Sequence, residues 1–125
     1  MSGYKAVSNI SDFIGYVYPN IYYLEAKSHL GNNFPLTNLT QYDKLKEKVG
    51  IPGVRVGVVI WFRDVDTVWY VPVSTITQMK ADGKKSVNVK KDIEAGYRII
   101  NIPSQKRRVF LDSDYSVLLN LKDGE

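Results

Sequence analysis

The sequence predicts an α/β domain whose mixed central sheet is flanked by helices, and three observations carry that prediction. Residues 13–18 and 21–24 are dense in β-branched and aromatic side chains with Pro19-Asn20 between them, the pattern of two short strands joined by a tight turn. VRVGVVIWF, Val54–Phe62, is a near-continuous apolar run of strand length, which suits a central strand covered on both faces. Between them, Leu39, Tyr42, Leu45 and Val49 recur at helical spacing.

Taken in order, residues 1–10 are short and mixed, an irregular segment or partial strand, and the hairpin follows. Residues 28–33 form a polar loop containing Gly31 that leads to Phe34-Pro35-Leu36. A helix is expected over 38–49, with Asn38 as its N-cap, Gln41 completing a capping box, and Lys44, Lys46 and Lys48 on its other faces. Gly50 and Pro52 stop it. After the central strand, Arg63-Asp64-Val65-Asp66 is a charged turn and residues 67–71 return as an antiparallel strand. A short helix over 74–81, capped by Ser74, ends at Asp82-Gly83. Residues 84–91, KKSVNVKK, are expected to be extended or loop-like. Residues 97–102 are a strand, Lys106-Arg107-Arg108 a turn, 109–111 a short strand, and 114–121 a terminal helix begun by Asp114. The chain shows neither an internal repeat nor a low-complexity segment.

At 125 residues the chain is expected to form one domain over 1–125 with a single core. The absence of cysteine excludes disulfides, thiol catalysis and cysteine-ligated zinc, and suits a reducing cytosol. Its longest apolar run is too short to span a bilayer, and the N-terminus lacks the apolar core of a signal peptide, so a cytoplasmic location without membrane contact is expected. Net charge is +4 with a pI near 9.2, a modest cationic excess compatible with a polyanionic partner.

The chemistry concentrates between Asp12 and Lys27. Asp12 opens the first strand and Glu25 closes the second, and a hairpin folds its far ends together, so the two carboxylates can meet. An acidic pair is what a hard divalent cation requires. Lys27 stands two residues beyond Glu25, so an extended strand points both side chains to one face. A basic chain with carboxylates gathered at one point has the charge layout of a metal-dependent nuclease, with lysines on phosphate and acids on metal.

Asp12 followed by Glu25-Ala26-Lys27 after a hairpin resembles the active-site signature of the PD-(D/E)XK nuclease superfamily. SDFIGYV, YYLEAKS and NNFPLTNLTQYDKL together are similar to the catalytic half of RecU-type Holliday junction resolvases, through the Asp-aromatic-x-Gly strand, the E-A-K strand, Phe34-Pro35-Leu36 and the helical Gln41. The similarity continues more loosely through VGVVIWF, Trp69-Tyr70-Val71-Pro72 and Lys84-Lys85-Ser86. It implies a restriction-endonuclease-like core, which the β-β-α-β-β-α layout matches, and a metal-dependent endonuclease acting on branched DNA. It also implies Asp12 and Glu25 as ligands of Mg²⁺ or Mn²⁺, the Ala26 carbonyl as a third ligand, Lys27 as electrostatic catalyst and Gln41 beside the water or substrate. Mg²⁺ retains several waters, any of which can serve as nucleophile. Such enzymes carry an N-terminal helix and a junction-contacting insertion before the Asp strand. Eleven residues precede Asp12 here, too few for either, so the expectation is the catalytic half alone, as a fragment or a natural minimal form. A homodimer and a partner subunit both stay open.

Each residue also has a plainer reading. Asp12 can be a strand-start residue, Glu25 with Lys27 a surface pair, and Gln41 a cap. His29, the only histidine, is a candidate substrate contact rather than a required base, because a metal already lowers the pKa of bound water. Lys84, Lys85, Lys90, Lys91, Lys106, Arg107 and Arg108 are candidate phosphate contacts or solvated turns. Trp61 and Trp69 read as core, and so does one of Tyr22 and Tyr23, which alternate along the strand. Two further functions compete: a DNA-binding module that keeps the fold without turnover, and a glycosidase acid/base pair. Lys27 argues against the last, because a cation would depress the raised pKa that a general acid needs.

Overall fold

The computed structural model describes the backbone of residues 13–17, 19–107, 110–113, 115–121 and 125, and the side chains of 19–103, 117–119, 121 and 125. Residues 1–10 therefore lie outside the described residues. β1 (Phe13–Val17) and β2 (Asn20–His29) form the predicted antiparallel hairpin, in register from Val17↔Asn20 to Phe13↔Leu24. β2 runs on through residues 25–29 beyond that ladder. Its other edge pairs in parallel with β4 (Val54–Phe62), with Glu25↔Val58, Lys27↔Ile60 and His29↔Phe62 as partners. β5 (Thr67–Pro72) returns antiparallel to β4, as its charged turn predicts, and β7 (Ile100–Ile102) adds the last strand. The five-stranded order β1-β2-β4-β5-β7 is thus a mixed sheet, consistent with the restriction-endonuclease-like fold.

β4 is buried along nearly its whole length because both faces of the sheet are covered. On one face Val58, Ile60 and Phe62 meet Phe34, Leu36 and Leu39 from the segment after β2, together with Ile76 and Met79 of α2 (Val73–Ala81). The same face continues where Val54, Val56 and Tyr23 pack on Leu45 of α1 (Tyr42–Lys46). On the other face Tyr22, Leu24, Val59 and Tyr70 meet Leu118 and Leu121, which belong to or adjoin a terminal 3-10 turn (Tyr115–Asn120). Each fully buried aliphatic or aromatic side chain contributes roughly 2 kcal/mol by removal from water. Gly57 of β4 is required by close approach: a Cβ there would collide with the Tyr70 ring.

Several elements depart from expectation, for local physical reasons. Leu36–Asn38 form a 3-10 turn, and burial of Leu39 draws the chain inward, so α1 starts only at Tyr42. Gln41 occupies its N-cap position without a side-chain capping bond, and the Asn38 capping box is not formed. Pro72 leads straight into α2 and takes the N-cap position, which places Ser74 inside the helix. Residues 84–91 are not a simple loop. β6 (Ser86–Val87) pairs with β3 (Phe34–Pro35), and α3 (Val89–Glu94) follows. Asn88 caps α3 by accepting from Lys91 N at 3.2 Å, while Asp92 accepts from Asn88 N at 2.9 Å. Residues 97–99 stay out of the strand because Tyr97 N bonds to Asp92 O and Thr75 Oγ1 donates to Arg98 O. Lys106 and Arg107 lie on β8 (Ser104–Arg107), paired with β9 (Phe110–Ser113), rather than in a turn; Arg108 lies outside the described residues.

Candidate active site

Alternation along β2 sends Tyr23, Glu25, Lys27 and His29 to the face that carries α1 and α2, while Ala26 and Ser28 are exposed on the other. Glu25 is 1% exposed, an unusual position for a carboxylate, and Lys27 Nζ stands 3.1 Å from its Oε2. The Lys27 side chain retains 28% exposure, so this ammonium touches the buried acid and also reaches solvent. Such a pair is a weak source of stability, since desolvating the charges offsets their attraction. Its placement suits binding chemistry better than fold maintenance.

Asp12 lies outside the described residues. It precedes Phe13 in the chain, and Glu25 follows Leu24, the ladder partner of Phe13. Among the described residues no group of three or more His, Cys, Asp or Glu gathers into a metal cluster. Glu25 supplies one hard oxygen donor, and Mg²⁺ commonly uses only one or two carboxylates while keeping its waters, so the donor chemistry fits that ion. Gln41 sits one residue ahead of Tyr42, which packs against the same face, and its buried Oε1 has no hydrogen-bond partner among the described residues.

His29 is held edge-on to Phe34 and Phe62, with ring centroids at 5.6 and 6.3 Å. The end of β2 is tied to the β4–β5 turn: Arg63 N donates to His29 O at 2.9 Å and Gly31 N to Asp64 Oδ2 at 2.8 Å. Pairing of β3 with β6 brings the predicted Phe-Pro-Leu segment against Lys84-Lys85-Ser86, with Leu36 N donating to Lys85 O at 2.9 Å. Lys84 is engaged in an ion pair with the buried Asp92, Nζ to Oδ1 2.9 Å, whereas Lys85, Lys90 and Lys91 are exposed. Lys106 and Arg107 are described only as backbone on β8.

A cleft of about 680 Å³ opens at the His29–Phe62 end of the sheet, lined by Asn32, Trp69, Asn88, Val89, Lys90 and Lys91 among others. Asn88 Nδ2 donates to Asn33 Oδ1 at 3.0 Å, which ties the loop after β2 to the N-cap of α3. The asparagines escaped the sequence reading because loop asparagine is ordinary turn chemistry. Trp69, expected in the core, is half-buried, packing on the core from one side and lining the cleft from the other. The two tyrosines divide as expected, Tyr22 buried and Tyr23 half-buried.

Among the described residues no helix is long and apolar enough to cross a membrane. A search of curated proteins finds no match for the chain. A protein-family model described as Recombination protein U matches residues 1–113, which include the hairpin, Glu25-Ala26-Lys27, the Phe34-Pro35-Leu36 segment and the sheet. With nine-tenths of its length matched and the mixed sheet in place, the chain belongs to the recombination protein U family of Holliday junction resolvases.

Proposed function

We propose that this protein is a metal-dependent endonuclease that hydrolyses phosphodiester bonds in branched DNA. The observation that carries the proposal is the Glu25–Lys27 pair: a carboxylate 1% exposed, with an ammonium 3.1 Å away that still reaches solvent. Membership of a Holliday junction resolvase family supports DNA as the substrate, and the net charge of +4 suits its polyanionic backbone.

Asp12, Glu25 and the Ala26 carbonyl would hold Mg²⁺ or Mn²⁺. The ion supplies Lewis-acid charge at the phosphoryl oxygens and a water acidified enough to attack at neutral pH. The chain's own groups do the rest. Lys27 places a compact positive charge where negative charge develops on the phosphoryl group. Gln41 offers a buried amide oxygen that can accept a hydrogen bond from the attacking water and orient it. His29, packed edge-on between two phenylalanines, contributes a shaped wall and a nitrogen for substrate rather than the base. The cleft beside it, with Lys90 and Lys91 at its edge, receives the phosphates that run past the scissile bond. Lys85, Lys106, Arg107 and Arg108 remain candidate backbone contacts; Lys84 is committed to Asp92.

The test is cleavage of end-labelled four-way junction, duplex and single-stranded DNA, each with Mg²⁺, Mn²⁺ or EDTA, beside Lys27→Ala. Cuts that require metal, vanish in the variant and favour the junction are expected. If every substrate stays intact while a gel shift shows binding, the chain is a DNA-binding module without turnover. If the cuts persist in Lys27→Ala, the assigned catalytic role is wrong.

A further inference from the structure

Apart from His29, the candidate DNA contacts read from the sequence run from Lys84 to Arg108, yet a second group of lysines gathers elsewhere in the described structure. Lys46 Nζ and Lys80 Nζ stand 5.9 and 4.5 Å from the centroid of the same Tyr42 ring, and Lys48 Nζ stands 5.6 Å from that of Tyr23. Tyr42 is fixed from behind by a 2.7 Å hydrogen bond between its hydroxyl and Thr77 Oγ1 of α2. Tyr23 and Tyr42 pack on one hydrophobic cluster, so the three ammonium groups gather on the side of the molecule where α1, α2 and β2 meet. Among the described residues none of the three lysines forms an ion pair, unlike Lys27, Lys84 and Arg98. Asp43 and Glu47, the acids of this stretch, are exposed and form no ion pair with them, and Lys44, Lys46, Lys48 and Lys80 outnumber them.

Ammonium groups gathered over aromatic rings, in excess over the nearby carboxylates and paired with none of them, favour a polyanion. Position says where it would run. Tyr23 lies two residues before Glu25 on the same face of β2, roughly 7 Å along the strand. Lys90 and Lys91 lie toward the opposite end, beyond His29, which is four residues and roughly 13 Å after Glu25. The buried acid therefore stands between two cationic surfaces along the strand axis.

We infer that Lys46, Lys48 and Lys80, seated on Tyr42 and Tyr23, bind the DNA backbone on the side of the scissile phosphate opposite to Lys90 and Lys91. Choosing DNA as the polyanion rests on the function proposed above. The patch and the α3 cleft then span about 20 Å, or roughly six nucleotides of one strand, with Glu25 and Lys27 inside that span.

Fluorescence anisotropy of a labelled four-way junction in EDTA, across a series of NaCl concentrations, tests this without cleavage. For Lys46→Gln/Lys80→Gln the slope of log K against log [NaCl] is expected to shrink by about two relative to wild type. Lys44→Gln, on the other side of the same helix, is expected to change it far less, and the melting temperatures of all three proteins should agree because these side chains are exposed. An unchanged slope in the double variant overturns the patch and leaves the nuclease proposal standing. A reduced slope in a protein that never cuts upholds the patch and overturns the nuclease proposal. Failure of wild type to bind any DNA overturns both.

Discussion

A carboxylate at 1% exposure beside a partly exposed ammonium makes Glu25 and Lys27 unequal partners, and their substitutions should differ accordingly. Lys27→Ala leaves the acid buried without its ammonium and is expected to lower stability by about 3 kcal/mol, readable in a urea unfolding midpoint, besides abolishing cleavage. Glu25→Gln removes the desolvated charge at almost constant volume. It should raise stability in EDTA by about 1 kcal/mol and abolish any rise in melting temperature caused by Mg²⁺ or Mn²⁺. Stability gained together with activity lost is the signature of a group kept for chemistry. Tyr97 is a second residue with a readable proton. Its hydroxyl donates to Asp82 Oδ2 at 2.5 Å, and that hydrogen bond, with Asp82's charge, pushes its pKa up to about 12. Since the folded value lies above the ordinary one near 10, this contact stabilises the fold below pH 10 and is lost as pH rises through 12. Ultraviolet titration should show a phenolate step at high pH that disappears in Tyr97→Phe.

At the scale of elements, the central strand was legible because its composition left it no alternative, and the glycine within it was not. Gly57 pairs with Pro72 of β5, and the Tyr70 ring fills the space where a side chain would stand. Gly57→Ala should cost about 2 kcal/mol through overpacking, measured by thermal or urea unfolding, with the sheet retained. Helix α3 shows the opposite case, an element hidden in a lysine-rich stretch that resembled a solvated loop. Its cause is Asp92, 2% exposed, which accepts from Asn88 N and pairs with Lys84 at 2.9 Å. Asp92→Ala is expected to cost about 3 kcal/mol, leaving Lys84 and the Asn88 amide without their acceptor, and to perturb the cleft that α3 helps to line. The predicted capping box at Asn38 failed for a related reason. Burial of Leu36 and Leu39 pulls the chain into a 3-10 turn, and core packing outweighs a local cap of about 1 kcal/mol.

Across the whole molecule, the two faces of the sheet serve different purposes. One is packed by α1 and α2 and carries Glu25, Lys27 and His29; the other is closed by the terminal turn, where Arg55 Nε donates to Leu121 O at 2.9 Å. Tyr70, fully buried on that second face, donates its hydroxyl to Glu125 O, and burial holds its pKa well above the ordinary tyrosine value. Removing residues 115–125 should therefore expose Tyr22, Leu24, Val59 and Tyr70. The truncated protein is expected to bind a hydrophobic dye and lose its cooperative melt even though every proposed catalytic residue is retained.

The sequence alone determined the hairpin, the central strand and its antiparallel return, and the spacing that puts Glu25 and Lys27 on one face. These rest on period-two alternation and turn chemistry, which act over a few residues. It also carried the family, because the E-A-K strand and the Phe-Pro-Leu segment are contiguous in the chain. Tertiary structure decided the parallel pairing of β2 with β4, the burial of Glu25, the commitment of Lys84 to Asp92, and the gathering of Lys46, Lys48 and Lys80 over two tyrosines. Those outcomes depend on side chains tens of residues apart meeting across a sheet, where burial and desolvation exceed any local preference.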